Sequence, residues 1–207
     1  RVLLPEDLKP LDSLEEYKAR GGLKGLEKAR SLRPEEVIAE IKKSGLRGRG
    51  GAGFPAAIKW ETVFKDPNPK KYVVCNAAEG EPGTYKDRYT FLFNQYQMIE
   101  GLLIIAYVIS AQEAVIGTKK KFTPQVNRLQ KAIEEFENAG IVQKGYIRLV
   151  LGPDDYLFGE EKALLEVVDG RGAMPRMYPP YMVGVGFFSA ADANPTVVNN
   201  AETMAHV

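Results

Sequence analysis

One cysteine and one histidine, Cys75 and His206, are all that a chain of 207 residues offers of the two softer metal ligands. A disulfide framework is thereby excluded, and so is any structural zinc or iron–sulfur cluster held by this chain alone. Catalysis built on a resident metal or on histidine fits so few ligands poorly. Charge of one sign is equally scarce, since 28 basic and 27 acidic residues leave a formal net charge of +1. No overall field therefore gathers nucleic acid or an anionic membrane. Long apolar runs are missing too. The longest, Met98 to Ile109, falls well short of the ~20 residues that span a bilayer and carries Glu100. It reads as a buried helix, with no direct membrane insertion. There is no internal repeat and no signal-peptide pattern. The chain opens on Arg1 and closes on Val207 inside a new helical pattern, so it is expected to be a piece of a longer cytoplasmic protein.

What is present is apolar content of 44%, enough for one large domain or one domain with small appendages. Glycine is concentrated: Gly45, Gly48, Gly50, Gly51 and Gly53 fall close together, with Pro55 just beyond. No core needs that composition, because glycine costs backbone entropy and packs nothing. A backbone that must lie close to a ligand does need it, and Pro55 at a first helical position aims a helix N-terminus at that ligand.

Ser13 and Glu16 form a capping box for a short helix ending at Gly21-Gly22, and a second short helix covers Leu23 to Ala29. Pro34, Glu35 and Glu36 open a third helix, with Val37, Ile38 and Ile41 on one face and Gly45 as its stop. These helices make residues 1–44 an N-terminal helical segment. A helix from Pro55 to about Phe64 and a turn over 65–70 follow. Strands are predicted at Tyr72–Cys75, Ala114–Thr118 and Tyr146–Leu151. Helices are predicted over Asn94–Ala111, from a Thr123-Pro124 cap to Ala139, and from near Gly159 to Gly170. Such alternation implies an α/β domain over 45–207, with a parallel sheet of about four strands covered on both faces. A Gly- and Pro-rich loop covers Arg171 to Pro195, and Asn199 with Glu202 resembles another capping box.

In an open parallel sheet, ligands bind beyond the C-terminal strand ends. After the first strand stand Asn76, Glu79 and Glu81; after the third stand Asp154, Asp155, Tyr156, Glu160 and Glu161. Acidic residues in a first helical turn also suit the helix dipole, which is the structural alternative for Glu160 and Glu161. Solvated loop charge is the alternative for Glu79 and Glu81. A glycosidase pair would need a sugar cleft that nothing here suggests. Gly48 to Gly53 fits G-x-G-x-x-G but follows a helix, whereas the dinucleotide fingerprint follows a strand. The remaining mixture is a glycine loop, Lys59, carboxylates, the Tyr156 ring and a capped helix start at Asn199-Asn200. It suits a flavin mononucleotide, with N–H donors for the phosphate and a flat contact for the ring.

Four blocks in order carry a resemblance: Ser44 to Pro55 with Lys59-Trp60, Cys75 to Arg88, Gly159-Glu160-Glu161, and Pro195 to Thr203. Together they resemble the NADH-binding flavoprotein subunit of respiratory complex I. That family includes the flavin subunits of NAD-reducing hydrogenases and NAD-linked formate dehydrogenases. The resemblance implies a Rossmann-like domain with FMN lined by Gly48, Arg49, Gly50, Lys59, Asn76, Glu79, Tyr156, Gly159, Glu160, Asn199, Asn200 and Thr203. Glu81 and Glu161 are implied as catalytic residues facing NADH, with Phe54 and Tyr181 at its adenine end. Implied partners are iron–sulfur subunits, including a thioredoxin-like [2Fe–2S] subunit, in the cytoplasm or at the cytoplasmic side of a membrane complex. The family's ubiquitin-like segment and its [4Fe–4S] helical bundle have no counterpart in these 207 residues. Ala78 stands where the family has Asp, Phe158 where it has Cys, Tyr178 where it has Lys, and Thr62 or Val63 where it has an aromatic. Residues 182 to 194 read as longer and richer in glycine than usual. The alternatives are an FMN module with another donor, such as a bifurcating one, and a degenerate scaffold that docks iron–sulfur subunits.

Overall fold

The structure is a computed structural model and describes residues 3–186 and 193–207. Ser13 opens α1 (Leu14–Ala19) by accepting the Glu16 N–H on its hydroxyl at 3.1 Å. Helix α2 (Lys24–Arg30) follows. Helix α3 (Pro34–Ser44) stops where Gly45 takes φ 68°, a left-handed value that a side chain would strain. Beyond the glycine loop, Pro55 stands at the N-cap of α4 (Ala56–Lys65) rather than inside it.

The sheet comprises β1 (Tyr72–Ala77), β2 (Glu113–Lys119), β3 (Ile147–Gly152) and β4 (Thr196–Asn200), all parallel, in the order β3-β2-β1-β4. Val73, Val74, Val115, Ile116, Val197 and Val198 are buried in it, as expected for a parallel sheet covered on both faces. The fourth strand falls where the sequence shows only a loop end and a helix cap. It is five residues long and ends in two asparagines, which have low strand propensity, so pairing with β1 makes it a strand.

Helix α5 (Lys86–Phe93) was not marked by any apolar period. It meets α6 (Gln95–Ile109) at Asn94 with a bend of 103°. Helix α7 (Thr123–Asn138) is capped by Phe122, which moves Thr123 into its first turn. Then come a 3₁₀ turn at Tyr156–Gly159, α8 (Glu161–Val168) and α9 (Ala201–Ala205). The second predicted box is displaced by one residue: Asn200, not Asn199, accepts the Glu202 N–H, at 3.1 Å. Asn199 still belongs to the strand.

The main core gathers around α6, where Ile99, Leu102 and Ile105 are fully buried. Each such side chain contributes about 1.5–3 kcal/mol on leaving water. Glu100 on the same helix accepts the N–H groups of Leu23 at 2.9 Å and Leu26 at 2.8 Å, and also the Tyr17 hydroxyl. That carboxylate fastens α1 and α2 to α6. Burial first, then the Glu100 charge, pushes the Tyr17 hydroxyl's pKa up and keeps it a donor. Gly101 allows α9 to cross α6, because a Cβ there would run into the Met204 carbonyl oxygen. Across the sheet a smaller core holds Val74, Ala78, Phe158, Leu164 and Val198. Among the described residues no single helix is long and apolar enough to cross a membrane.

From β1 the chain builds outward through β2 to β3, and β4 then pairs on β1's other side. The sheet order therefore reverses between β1 and β4, and such a switch point opens a crevice at the C-terminal strand ends.

Candidate functional site

The glycine loop is closed at its base. Arg47 and Pro55 bridge antiparallel, the Gly48 N–H donates to the Phe54 carbonyl at 2.8 Å, and the Ala56 N–H donates to the Leu46 carbonyl at 3.0 Å. Gly51 and Gly53 take φ 119° and 62°. The loop is tied to α9 by the Arg49 N–H, which donates to the Thr203 hydroxyl at 2.8 Å. A Cβ on Gly50 would stand 3.5 Å from that of Asn200, so the loop lies against the end of β4. Among the described residues, the N–H groups of Gly50, Gly51, Ala52 and Gly53 have no acceptor, and the Arg49 guanidinium has no carboxylate partner.

The loop overhangs a cleft with two lobes that share Gly50, Asn76, Gly159, Glu160 and Asn200. The polar lobe, about 500 Å³, is further lined by Arg49, Glu79, Glu81, Lys86, Asp87 and Tyr156. The aromatic lobe, about 760 Å³, is lined by Phe54, Ile58, Lys59, Thr62, Glu161 and Tyr181. Both volumes fall in the range of small-molecule sites.

The polar lobe is a hydrogen-bonded lattice. Glu79 accepts the Asp87 N–H at 3.1 Å and Arg88 Nε at 2.8 Å, which caps α5 and explains why that helix forms. Asp87 is 2% exposed and accepts Lys86 Nζ and Asn200 Nδ2, each at 2.7 Å. Burial raises the Asp87 carboxyl pKa against these favourable partners. Lys86 also reaches Asn200 Oδ1 at 2.9 Å and Glu202 at 3.2 Å. Asn76 donates to the Gly159 carbonyl at 2.8 Å and accepts the Ala78 N–H at 3.2 Å. Glu160 caps α8 by accepting from the N–H groups of Lys162 and Ala163 at 2.8 and 2.9 Å. The Tyr156 hydroxyl donates to Glu81 at 2.7 Å, and this bond raises its pKa.

The aromatic lobe has fewer internal bonds. Lys59 Nζ pairs with Glu161 at 2.7 Å and lies 6.0 Å from the Phe54 ring centroid. Phe54, Ile58 and Tyr181 are about half exposed. Asn199 lines this lobe, but in the orientation that satisfies its amide it accepts Trp60 Nε1 at 2.9 Å and donates to the Val198 carbonyl at 3.0 Å.

The structure thus gathers the expected site residues along one cleft, with one displaced: Thr203 is fully buried behind the wall, and its hydroxyl is occupied by the Arg49 N–H. Lys86, Asp87, Ile58 and Thr62 line the cleft without having been singled out as site residues. For Lys86 and Asp87 the available signal was their place beside the Glu79–Glu81 segment. The unusual residues also find places. Phe158 is a fully buried ring beside Ala78, Thr62 faces the aromatic lobe, Val63 points into the core, and Tyr178 lies outside both lobes. Of the segment 182–194, residues 187–192 lie outside the described residues.

The chain is 41% identical over its whole length to an NADH-quinone oxidoreductase subunit of Aquifex aeolicus (strain VF5), covering 49% of that protein. It is 41% identical over 94% of its length to an NADH-quinone oxidoreductase subunit of Rhizobium meliloti (strain 1021), covering 47% of that protein. The chain therefore spans about half the length of these relatives. Among solved structures it resembles an NAD+-reducing [NiFe]-hydrogenase chain in the air-oxidized state, with a TM-score of 0.78 and 32% identity over 95% of this chain and 34% of that one. The model of the Nuo51 FMN-binding domain family matches residues 41–207, and the chain belongs to that family.

Proposed function

We propose that this chain holds FMN in the two-lobed cleft and oxidises NADH there, as the flavin module of a larger redox assembly. The observation that carries the reading is the glycine loop. Four backbone N–H groups without acceptors among the described residues and an Arg49 guanidinium without a carboxylate partner stand at the β1/β4 switch point, beside a cleft of suitable size. Such a donor set fits a phosphate, and the missing side chains at Gly50 and Gly51 leave room for one. Of the acidic residues of the polar lobe, Glu81 stands at its mouth on the Tyr156 hydroxyl, and the other three are compensated. Glu79 is paired with Arg88, Asp87 with Lys86, and Glu160 with a helix N-terminus.

Bound FMN supplies hydride acceptance and its release as single electrons. The protein's own part is orientation. The Arg49 guanidinium with the Gly50 and Gly51 backbone forms the phosphate end, Gly48 closes the base of the loop through its bond to the Phe54 carbonyl, and Thr203 holds the Arg49 backbone in place. Asn76, Gly159, Glu160 and Asn200 form the shared waist, fixed by bonds to one another and to Asp87. Tyr156 holds Glu81 at the mouth of the polar lobe, where its carboxylate faces a nucleotide that reaches across the shared waist from the aromatic lobe. Lys59 holds Glu161 in the aromatic lobe, whose Phe54 and Tyr181 faces suit a flat base. Residues 1–44 serve as a helical support for a binding domain over 45–207. Electrons leave to iron–sulfur subunits, including a thioredoxin-like [2Fe–2S] subunit, in the cytoplasm or at the cytoplasmic side of a membrane complex. The names of the relatives support such an assembly.

Reconstitution of the chain with FMN, followed by anaerobic NADH addition, tests the reading. Binding and bleaching by NADH are expected. Failure to bind FMN leaves the scaffold reading, and binding without bleaching leaves a flavin module with another donor.

A further inference from the structure

Outside both lobes, one buried charged group takes no part in the function above. Arg176 is 8% exposed. Its guanidinium donates to Glu166 at 2.5 Å, to Asp169 at 2.9 Å and to the Gly184 carbonyl at 2.6 Å. Asp169 in turn accepts the Gly186 N–H at 2.7 Å. Glu166 lies on α8 and Asp169 caps it, so the guanidinium joins that helix to the backbone at 184–186.

Between those anchors runs a strap, residues 172–186, without helix or strand. Met174, Met177 and Tyr178 are exposed along it, while Pro180 and Tyr181 form part of the aromatic lobe. The strap returns to β4 through the Thr196 N–H, which donates to the Pro180 carbonyl at 3.0 Å, and the Gly184 N–H, which donates to the Asn194 carbonyl at 3.0 Å. The polar lobe takes no lining residue from it.

We propose that Arg176 is a positioning residue for the aromatic lobe. Its planar fork holds the strap on α8 and thereby sets Tyr181 opposite the Phe54 and Ile58 wall. A lysine cannot reproduce several directed bonds from one flat group. The inference rests on the nucleotide reading of that lobe and adds the residue that fixes its strap wall. Because the strap touches only one lobe, the effect falls on the nucleotide and spares the flavin.

The test uses the FMN-loaded full chain with R176K and R176Q. ADP-ribose affinity and the NADH concentration for half-reduction are measured beside FMN affinity and amide exchange over 182–186. In R176Q, ADP-ribose affinity is expected to fall about tenfold, with FMN affinity unchanged and amides 184 and 186 less protected. R176K is expected to show the same pattern more weakly, and it decides the matter if R176Q does not fold. Y181A combined with either change is expected to be non-additive. Equal losses of FMN and ADP-ribose affinity would overturn the proposal by showing a general structural role. Lost protection with unchanged ADP-ribose affinity would sever the strap from the lobe, and unchanged protection would refute the hold itself. Wild-type protein that keeps FMN yet binds no ADP-ribose would instead overturn the nucleotide reading, while amide exchange still decides the hold.

Discussion

The two lobes are built by opposite means. In the polar lobe nearly every side chain is held by another: Glu79 by Arg88, Asp87 by Lys86 and Asn200, Asn76 by the Gly159 and Ala78 backbone. In the aromatic lobe the walls are half-exposed rings and aliphatics, with one ion pair between Lys59 and Glu161. A satisfied, buried network is stiff and specifies one shape. Exposed apolar walls on a loop and a strap can part and close. The contrast matches a resident cofactor on one side and an exchanging substrate on the other.

The largest expected way to break this contrast is Asp87→Leu. It removes the 2.7 Å acceptor of Asn200 Nδ2 and leaves Lys86 with Asn200 Oδ1 and Glu202 alone inside the polar lobe. A loss of about 2–3 kcal/mol is expected, read as a lower denaturant midpoint, together with release of FMN on gel filtration. Next comes Gly101→Ala, which pushes a methyl into the Met204 carbonyl and displaces α9, the element that carries Thr203. It should cost about 1–3 kcal/mol and weaken FMN binding through the Arg49 tether, checked by the same denaturation curve and a flavin titration.

Sequence alone reached the layers of the fold because its signals there are local. Ser13, Pro34 and Gly45 mark helix ends, and short β-branched runs mark three strands. It missed β4 and α5 because neither is locally encoded. One is made a strand by pairing with β1, and the other is capped by Glu79 from a separate segment. The site was legible as four motif blocks, but the tasks of their side chains were not. Thr203, Glu160 and Asn199 carry cleft-type chemistry yet have their polar atoms bonded within the protein. For Thr203 and Asn199 only long-range contacts, from Arg49 and Trp60, reveal that difference, whereas the Glu160 cap is the local alternative that its place at a helix start offers.

A milder change sharpens the contrast from the mouth of the polar lobe. Glu81→Gln keeps the shape but removes the charge beside Tyr156. NADH reduction should weaken about tenfold while FMN affinity stays nearly constant, followed by stopped-flow bleaching and flavin fluorescence. Equal losses would place Glu81 with the flavin instead.

The smallest effect is in pH dependence, and Asp87 in the polar lobe and Glu166 under the strap differ in sign. Burial raises the Asp87 carboxyl above its ordinary 3.8, so the native state keeps a proton longer and stability falls as the pH rises through that window. Burial also pushes Glu166 up, but Arg171 and Arg176 outweigh it and hold the carboxyl below its ordinary 4.5. Its contribution is present above that value and is lost as the pH falls through the lowered one. Acidification should therefore weaken the Glu166 pairs with Arg171 and Arg176, read as a lower denaturant midpoint, and Glu166→Gln should remove that step.

The most direct measurement follows both ligands in one sample. The chain is loaded with FMN, passed through gel filtration, bleached with NADH under anaerobic conditions and dialysed against air-saturated buffer, whose oxygen takes the two electrons back from the reduced flavin before each new anaerobic addition. FMN is expected to remain bound throughout while nicotinamide nucleotide exchanges freely, with bleaching at every fresh NADH addition. Loss of FMN alongside the nucleotide, or retained FMN that NADH never bleaches, would contradict a resident flavin in one lobe and an exchanging nucleotide in the other.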